Sequence, residues 1–86
     1  MANPAFQTNL RQTQVTGSLP VTFTNVTSML IYNSGLISGT IVAQVALDND
    51  LPLPAGSSFS LPSNAPNVYA TIVLNANGGT LNVYWV

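Results

Sequence analysis

Two carboxylates, Asp48 and Asp50, stand one residue apart in the stretch VALDNDLPLPAGSSFSLP, and with Arg11 they are the only charged side chains in 86 residues. Carboxylates so placed suggest two chemistries, ligation of a hard cation or acid–base work. Calcium collects about six to eight oxygens, with several carboxylates at fixed positions and a closing Glu in the familiar loop. Here there are two Asp and no Glu, so Asp48 and Asp50 amount at most to a weak calcium candidate completed by carbonyls and water. Glycoside hydrolysis needs two carboxyls facing each other across a gap of ~5–9 Å, which one short loop does not provide. A Ser or Thr nucleophile needs a neighbouring base, and the chain has no His. Without His or Cys there is no zinc or iron site. These absences lead to the expectation of a chain that is not an enzyme, with no catalytic residues and no cofactor.

The same stretch reads well as a connection. Asp and Asn bond their own backbone and start turns, Pro52 and Pro54 favour an extended course, and Gly56 permits a reversal into the next strand.

Composition narrows the partners. A single Arg cannot displace counterions from phosphates, so nucleic acid is not expected. The apolar runs, such as Met29–Tyr32, fall far short of the ~20 residues a membrane helix needs. MANPAFQTNLRQTQ lacks a charged start followed by an apolar run, so no secretory signal is expected. With 47% hydrophobic residues the chain is not built for disorder. Its net charge of −1 provides little repulsion between copies. A domain of this size buries only about 60–65% of the surface its unfolded chain exposes. A thin core and a nearly neutral surface together suggest a protein held in an assembly.

Residues 1–14 are mostly Asn, Gln, Thr and Ala and form either a frayed terminus or an arm that orders on a partner. Residues 15–86 read as a single β domain. Val, Ile, Thr, Tyr and Phe gather in short runs separated by Gly, Pro, Asn and Ser, with no apolar spacing suited to a helix. The strands expected are Gln14–Thr16, Val21–Asn25, Ser28–Tyr32, Gly39–Leu47, Ser57–Leu61, Val68–Asn75 and Thr80–Val86. Pro20 and Pro62 should border strands or lie at edges. The fold expected is all-β, a small antiparallel β-sandwich or jelly-roll-like barrel of about six to seven short strands. VYATIVLNANGGTLNVYWV predicts a hairpin turning at Asn77-Gly78-Gly79. Its limbs place Val68, Ala70, Ile72 and Leu74, then Leu81, Val83 and Trp85, on the core side. On Gly39–Leu47 the face of Thr40, Val42, Gln44 and Ala46 is only half polar and fits a contact with another molecule as well as a second buried layer.

The residues Asn33, Ser34, Gly35, Leu53, Pro54, Gly56 and Ser58, an N-S-G turn followed by an L-P-x-G-x-S stretch, lie within Ile31–Val86. In that arrangement the chain resembles the small β-sandwich structural proteins of bacteriophage virions. The resemblance implies a non-enzymatic virion component, a capsid decoration or cement protein or a vertex protein. It would work as a homo-oligomer against sister copies and the major capsid protein. The alternative is a carbohydrate- or receptor-binding module of a phage fibre or spike. Its platform would be Tyr32, Tyr69, Tyr84 and Trp85, with Asp48 and Asp50 holding calcium.

Overall fold

Short runs of β-branched and aromatic residues, each broken by Gly, Pro or Asn, can satisfy their backbone only by pairing with one another. The computed structural model describes residues 10–42, 49–63 and 66–86, and these form eight strands and no helix. The strands are β1 Arg11–Thr16, β2 Val21–Val26, β3 Met29–Asn33, β4 Gly39–Val42, β5 Leu51–Leu53, β6 Ser58–Leu61, β7 Tyr69–Asn75 and β8 Thr80–Trp85. They make two four-stranded antiparallel sheets, ordered β1-β8-β3-β6 and β2-β7-β4-β5.

The pairing has a simple logic. β1 lies on β8, β2 on β7, β3 on β6 and β4 on β5. The chain therefore runs out and back as one long antiparallel ribbon that reverses between β4 and β5. Rolling the ribbon brings β8 onto β3 and β7 onto β4, which completes the two sheets. Every connection except β4–β5 crosses from one sheet to the other. This is the order of a jelly roll. The all-β sandwich expected from the sequence is the fold observed, with eight strands where about six to seven were expected.

The core lies between the sheets. Ile31, Leu81 and Val83 of the first sheet and Val26 and Leu74 of the second are fully buried. Each such side chain contributes about 1.5–3 kcal/mol by leaving water. The alternation along β3 is clean: Met29, Ile31 and Asn33 point in, Leu30 and Tyr32 out. Trp85 is partly buried and meets Phe23 edge to face, with ring centroids 4.9 Å apart.

Four expectations need correction. Residues 68–86 do not form a hairpin, because β7 pairs with β2 and β4 while β8 pairs with β1 and β3. The turn is where it was expected, with Asn77 at φ 54° and Gly78 at φ 89°. It carries the chain over the core, with Ala76 fully buried beneath it. Arch and hairpin need the same turn residues and the same inward apolar face, so the local pattern did not distinguish them.

β5, read as a crossing loop, is a strand that holds Pro52 at its centre. It pairs only with β4, and an edge is where a residue without an N–H is tolerated. β1 begins at Arg11 rather than Gln14, so the last residues of the expected arm belong to a sheet. Residues 1–9 lie outside the described residues, as do 43–48 of the long expected strand Gly39–Leu47.

The inward face of β7 also changes midway. Ile72 and Leu74 are buried as expected, but Val68 and Ala70 are exposed, and Tyr69 packs against the core instead. Across from this point, on β2, Asn25 takes the left-handed conformation at φ 54°. Thr24 and Asn25 are both exposed, and inward facing resumes at Val26, the partner of Tyr69. The register stays one-to-one through this point, so both strands change face together at left-handed Asn25.

Candidate functional site

At one end of the sandwich four short connections meet: 17–20, 34–38, 54–57 and 76–79. Asn33, at the end of β3, joins two of these connections, 34–38 and 54–57, to β5. It is fully buried and polar. Its Nδ2 donates to the carbonyls of Ile37 and Leu53, both at 2.8 Å, and its Oδ1 accepts from the Gly35 N–H at 3.0 Å. Its backbone N–H donates to Ser57 O at 2.9 Å, and its carbonyl accepts from Gly56 N–H at 2.8 Å. Both amide protons are thus used, and the residue ties the 34–38 loop to β5 and to the turn after it. Gly35 lies so close to β8 that a Cβ on it would sit 2.7 Å from the Thr80 backbone nitrogen.

Asparagines brace the remaining loops. Asn77 Nδ2 donates to Ser38 O at 3.0 Å and Thr40 Oγ1 at 2.8 Å. Asn75 Nδ2 donates to Ser18 O at 3.2 Å, and Gly78 N–H donates to Gly17 O at 2.8 Å. On this frame stand apolar side chains that the fold does not use. Leu36 is 97% exposed and Leu19 79%, with Ile37 about half exposed beside them. Loop tips are ordinarily polar, and a greasy tip on braced loops suits contact with another surface.

The proposed aromatic platform is divided by the fold. Tyr32 and Tyr84 both lie on the outer face of the first sheet, on adjacent strands and diagonal to one another through the pairs Leu30–Tyr84 and Tyr32–Asn82. Beside them runs a chain of neutral polar groups. Gln14 Nε2 donates to Asn82 Oδ1 at 3.0 Å, and Asn82 Nδ2 donates to Ser34 Oγ at 2.6 Å. Tyr69 and Trp85 are committed elsewhere. Tyr69 packs on the core from the second sheet and donates its hydroxyl to Pro62 O at 2.9 Å, and Trp85 meets Phe23. Trp85 also borders an open groove of about 480 Å³ with Leu10, Met29, Leu30, Leu61 and Tyr84. Among the described residues, none that lines it is charged.

Asp48 lies outside the described residues, and Asp50 is exposed just ahead of β5. Among the described residues no three of His, Cys, Asp and Glu gather where a metal could sit. Thr40 and Val42 are partly buried on the outer face of the second sheet, where Val42 joins a row with Val73 and Thr22. Their expected companions Gln44 and Ala46 lie outside the described residues. Sequence reasoning missed Leu36 and Ile37. Their signal was two branched apolar residues inside a Gly–Ser loop, where a turn needs none. No family model, curated protein or solved structure matches this chain.

Proposed function

We propose that this chain is a non-enzymatic structural protein of a bacteriophage virion, a small capsid decoration, cement or vertex protein that acts as a homo-oligomer. The observation that carries the reading is the loop end. Leu36 stands 97% exposed on connections locked by buried or bonded asparagines. A surface of that kind gains energy when another apolar surface covers it, at about 25 cal/mol per Å² removed from water. Repeated over a symmetric shell, a modest contact per copy becomes firm attachment. Eight-stranded jelly rolls recur in capsid and lectin domains, an analogy of architecture that agrees with the reading without carrying it.

The test is attachment to particles made from the genome that encodes the chain. Mass spectrometry of purified particles should find the protein. Leu36→Asp should abolish its incorporation while leaving the unfolding free energy within the change expected for a surface substitution, about ±0.5 kcal/mol. Particles that lack the wild-type chain, or that carry the variant at wild-type level, would count against the proposal.

One observation favours a second reading. The diagonal Tyr32 and Tyr84 beside the Gln14–Asn82–Ser34 chain offer aromatic faces with neutral hydrogen-bonding groups, which suits an uncharged sugar. A glycan array decides it, since a carbohydrate module would give hits that Tyr84→Ala removes.

A further inference from the structure

A sandwich has four strand edges, each with a row of backbone groups ready to pair with another chain, and proteins usually blunt such edges. Three of the edges here carry a device. β5 is three residues long with Pro52 at its centre. β2 starts after Pro20 and is coiled by left-handed Asn25. β6 is four residues long and stops at Pro62. β1 differs from all of these. Its six residues, Arg-Gln-Thr-Gln-Val-Thr, are regularly paired to β8 along their whole length. It contains no proline, glycine or lysine and no left-handed residue, and its one charge, Arg11, stands at the first residue of the strand. Among the described residues, no strand pairs with its other side.

We infer that β1 is the edge through which two copies of this chain join, antiparallel about a two-fold axis, so that the first sheets of both copies fuse into one of eight strands. The inference rests on the homo-oligomeric reading above and names the contact that makes the oligomer. A two-fold pairing of identical strands must set inward residues opposite inward ones, since a one-residue slip would turn every side chain to the wrong face. Val15 is buried and Thr13 partly so, while Gln12, Gln14 and Thr16 face out. The axis therefore passes through Thr13 or Gln14. Neither register sets Arg11 against the partner's Arg11, so no like charges meet.

The side chains at the ends of β1 fit this arrangement. Leu10, just before the strand, is 70% exposed and borders the apolar groove. Leu19, in the loop just after it, is 79% exposed. Antiparallel pairing brings the partner's Leu19 to the end where Leu10 emerges, and does so twice. Two greasy residues that serve no purpose in a single copy are then covered together.

The chain has no cysteine, so a single introduced thiol reports its own neighbour. Directly opposed residues on antiparallel strands have Cβ atoms about 4.5–5.5 Å apart, close to what a disulfide spans. With diamide as oxidant, Thr13→Cys or Gln14→Cys, whichever lies on the axis, should convert most of the chain to a covalent dimer. Thr22→Cys on β2 and Ser58→Cys on β6 should remain at background. Gln14 is exposed and Thr13 only partly buried, and Thr→Cys conserves side-chain size, so both variants should keep their fold, which thermal melts check before oxidation. If light scattering shows an oligomer while neither β1 variant cross-links, the β1 edge is the wrong contact and the homo-oligomeric reading survives. If the protein is a monomer and no variant cross-links, both fall.

Discussion

Asn33→Asp should be among the most damaging single substitutions in the described part of the chain, and its effect should grow with pH. The amide donates to two backbone carbonyls, of Ile37 and Leu53, at a fully buried position. An ionised carboxylate there faces two acceptors with no donor between them, and an uncompensated buried charge costs about 3–5 kcal/mol. Domains of this kind are stable by only about 5–15 kcal/mol. The melting temperature should therefore fall by on the order of 20 °C at neutral pH. In the variant, the folded pKa of the new Asp is raised above its unfolded value near 3.9. A raised carboxyl pKa means the folded state holds the proton more tightly, so the penalty is smallest below the unfolded value and grows as pH rises towards the folded one. Asn33→Leu, which has no charge but orphans the same carbonyls, should be destabilised without that slope. The parent chain makes a clean background, having no His, Glu or Lys. Thermal melts of the three proteins from pH 3.5 to 7.5 read this directly, and a variant curve parallel to the parent's would contradict the account of Asn33.

Ile31→Ala should cost about 2–5 kcal/mol, through lost burial and the cavity left between the sheets. Leu30→Ala, one residue away, should cost much less. Ile31 is fully buried and Leu30 is 41% exposed. The contrast tests the register of β3, where pairing with Val83 of β8 and Phe59 of β6 fixes Ile31 on the inner face. A one-residue slip would exchange the two outcomes. Urea midpoints measured at constant m-value would separate them. Equal losses at both positions would mean that the inward face of β3 is misassigned.

Much of this architecture can be read from local pattern, and what cannot has physical causes. β2, β3, β6 and β8 follow from alternation and bordering prolines, because such strands have one wet face and one dry face. β5 escaped because Pro52 argues against a strand wherever the residue's place in a sheet is unknown. β1 was shortened because Arg11–Gln14 carries polar residues on an edge, where only Val15 is fully buried. The arch over Ala76 reads locally as a hairpin because turn residues fix a reversal but not the sheet that the next strand joins.

The candidate site was legible in the same uneven way. Tyr84 faces out and Trp85 in, as their parity on β8 requires. Tyr69 turned inward because the left-handed Asn25 on the neighbouring strand resets the face, and that coupling spans 44 residues of sequence. Asn33 could be seen as a turn former. Its three-way bond to Ile37, Leu53 and Gly35 depends on segments that meet only when the ribbon is rolled.

On the function proposed above, the protein works by apolar and backbone contact with its neighbours. With one cation and two carboxylates in the whole chain, such contacts should be nearly indifferent to salt. The most direct measurement is the molar mass of the purified protein by size-exclusion chromatography with light scattering, at 0.15 and 1 M NaCl. A homo-oligomer should give at least twice 9.0 kDa, unchanged between the two salts. A species of 9.0 kDa that persists at high protein concentration, or an oligomer that dissolves in salt, would contradict it.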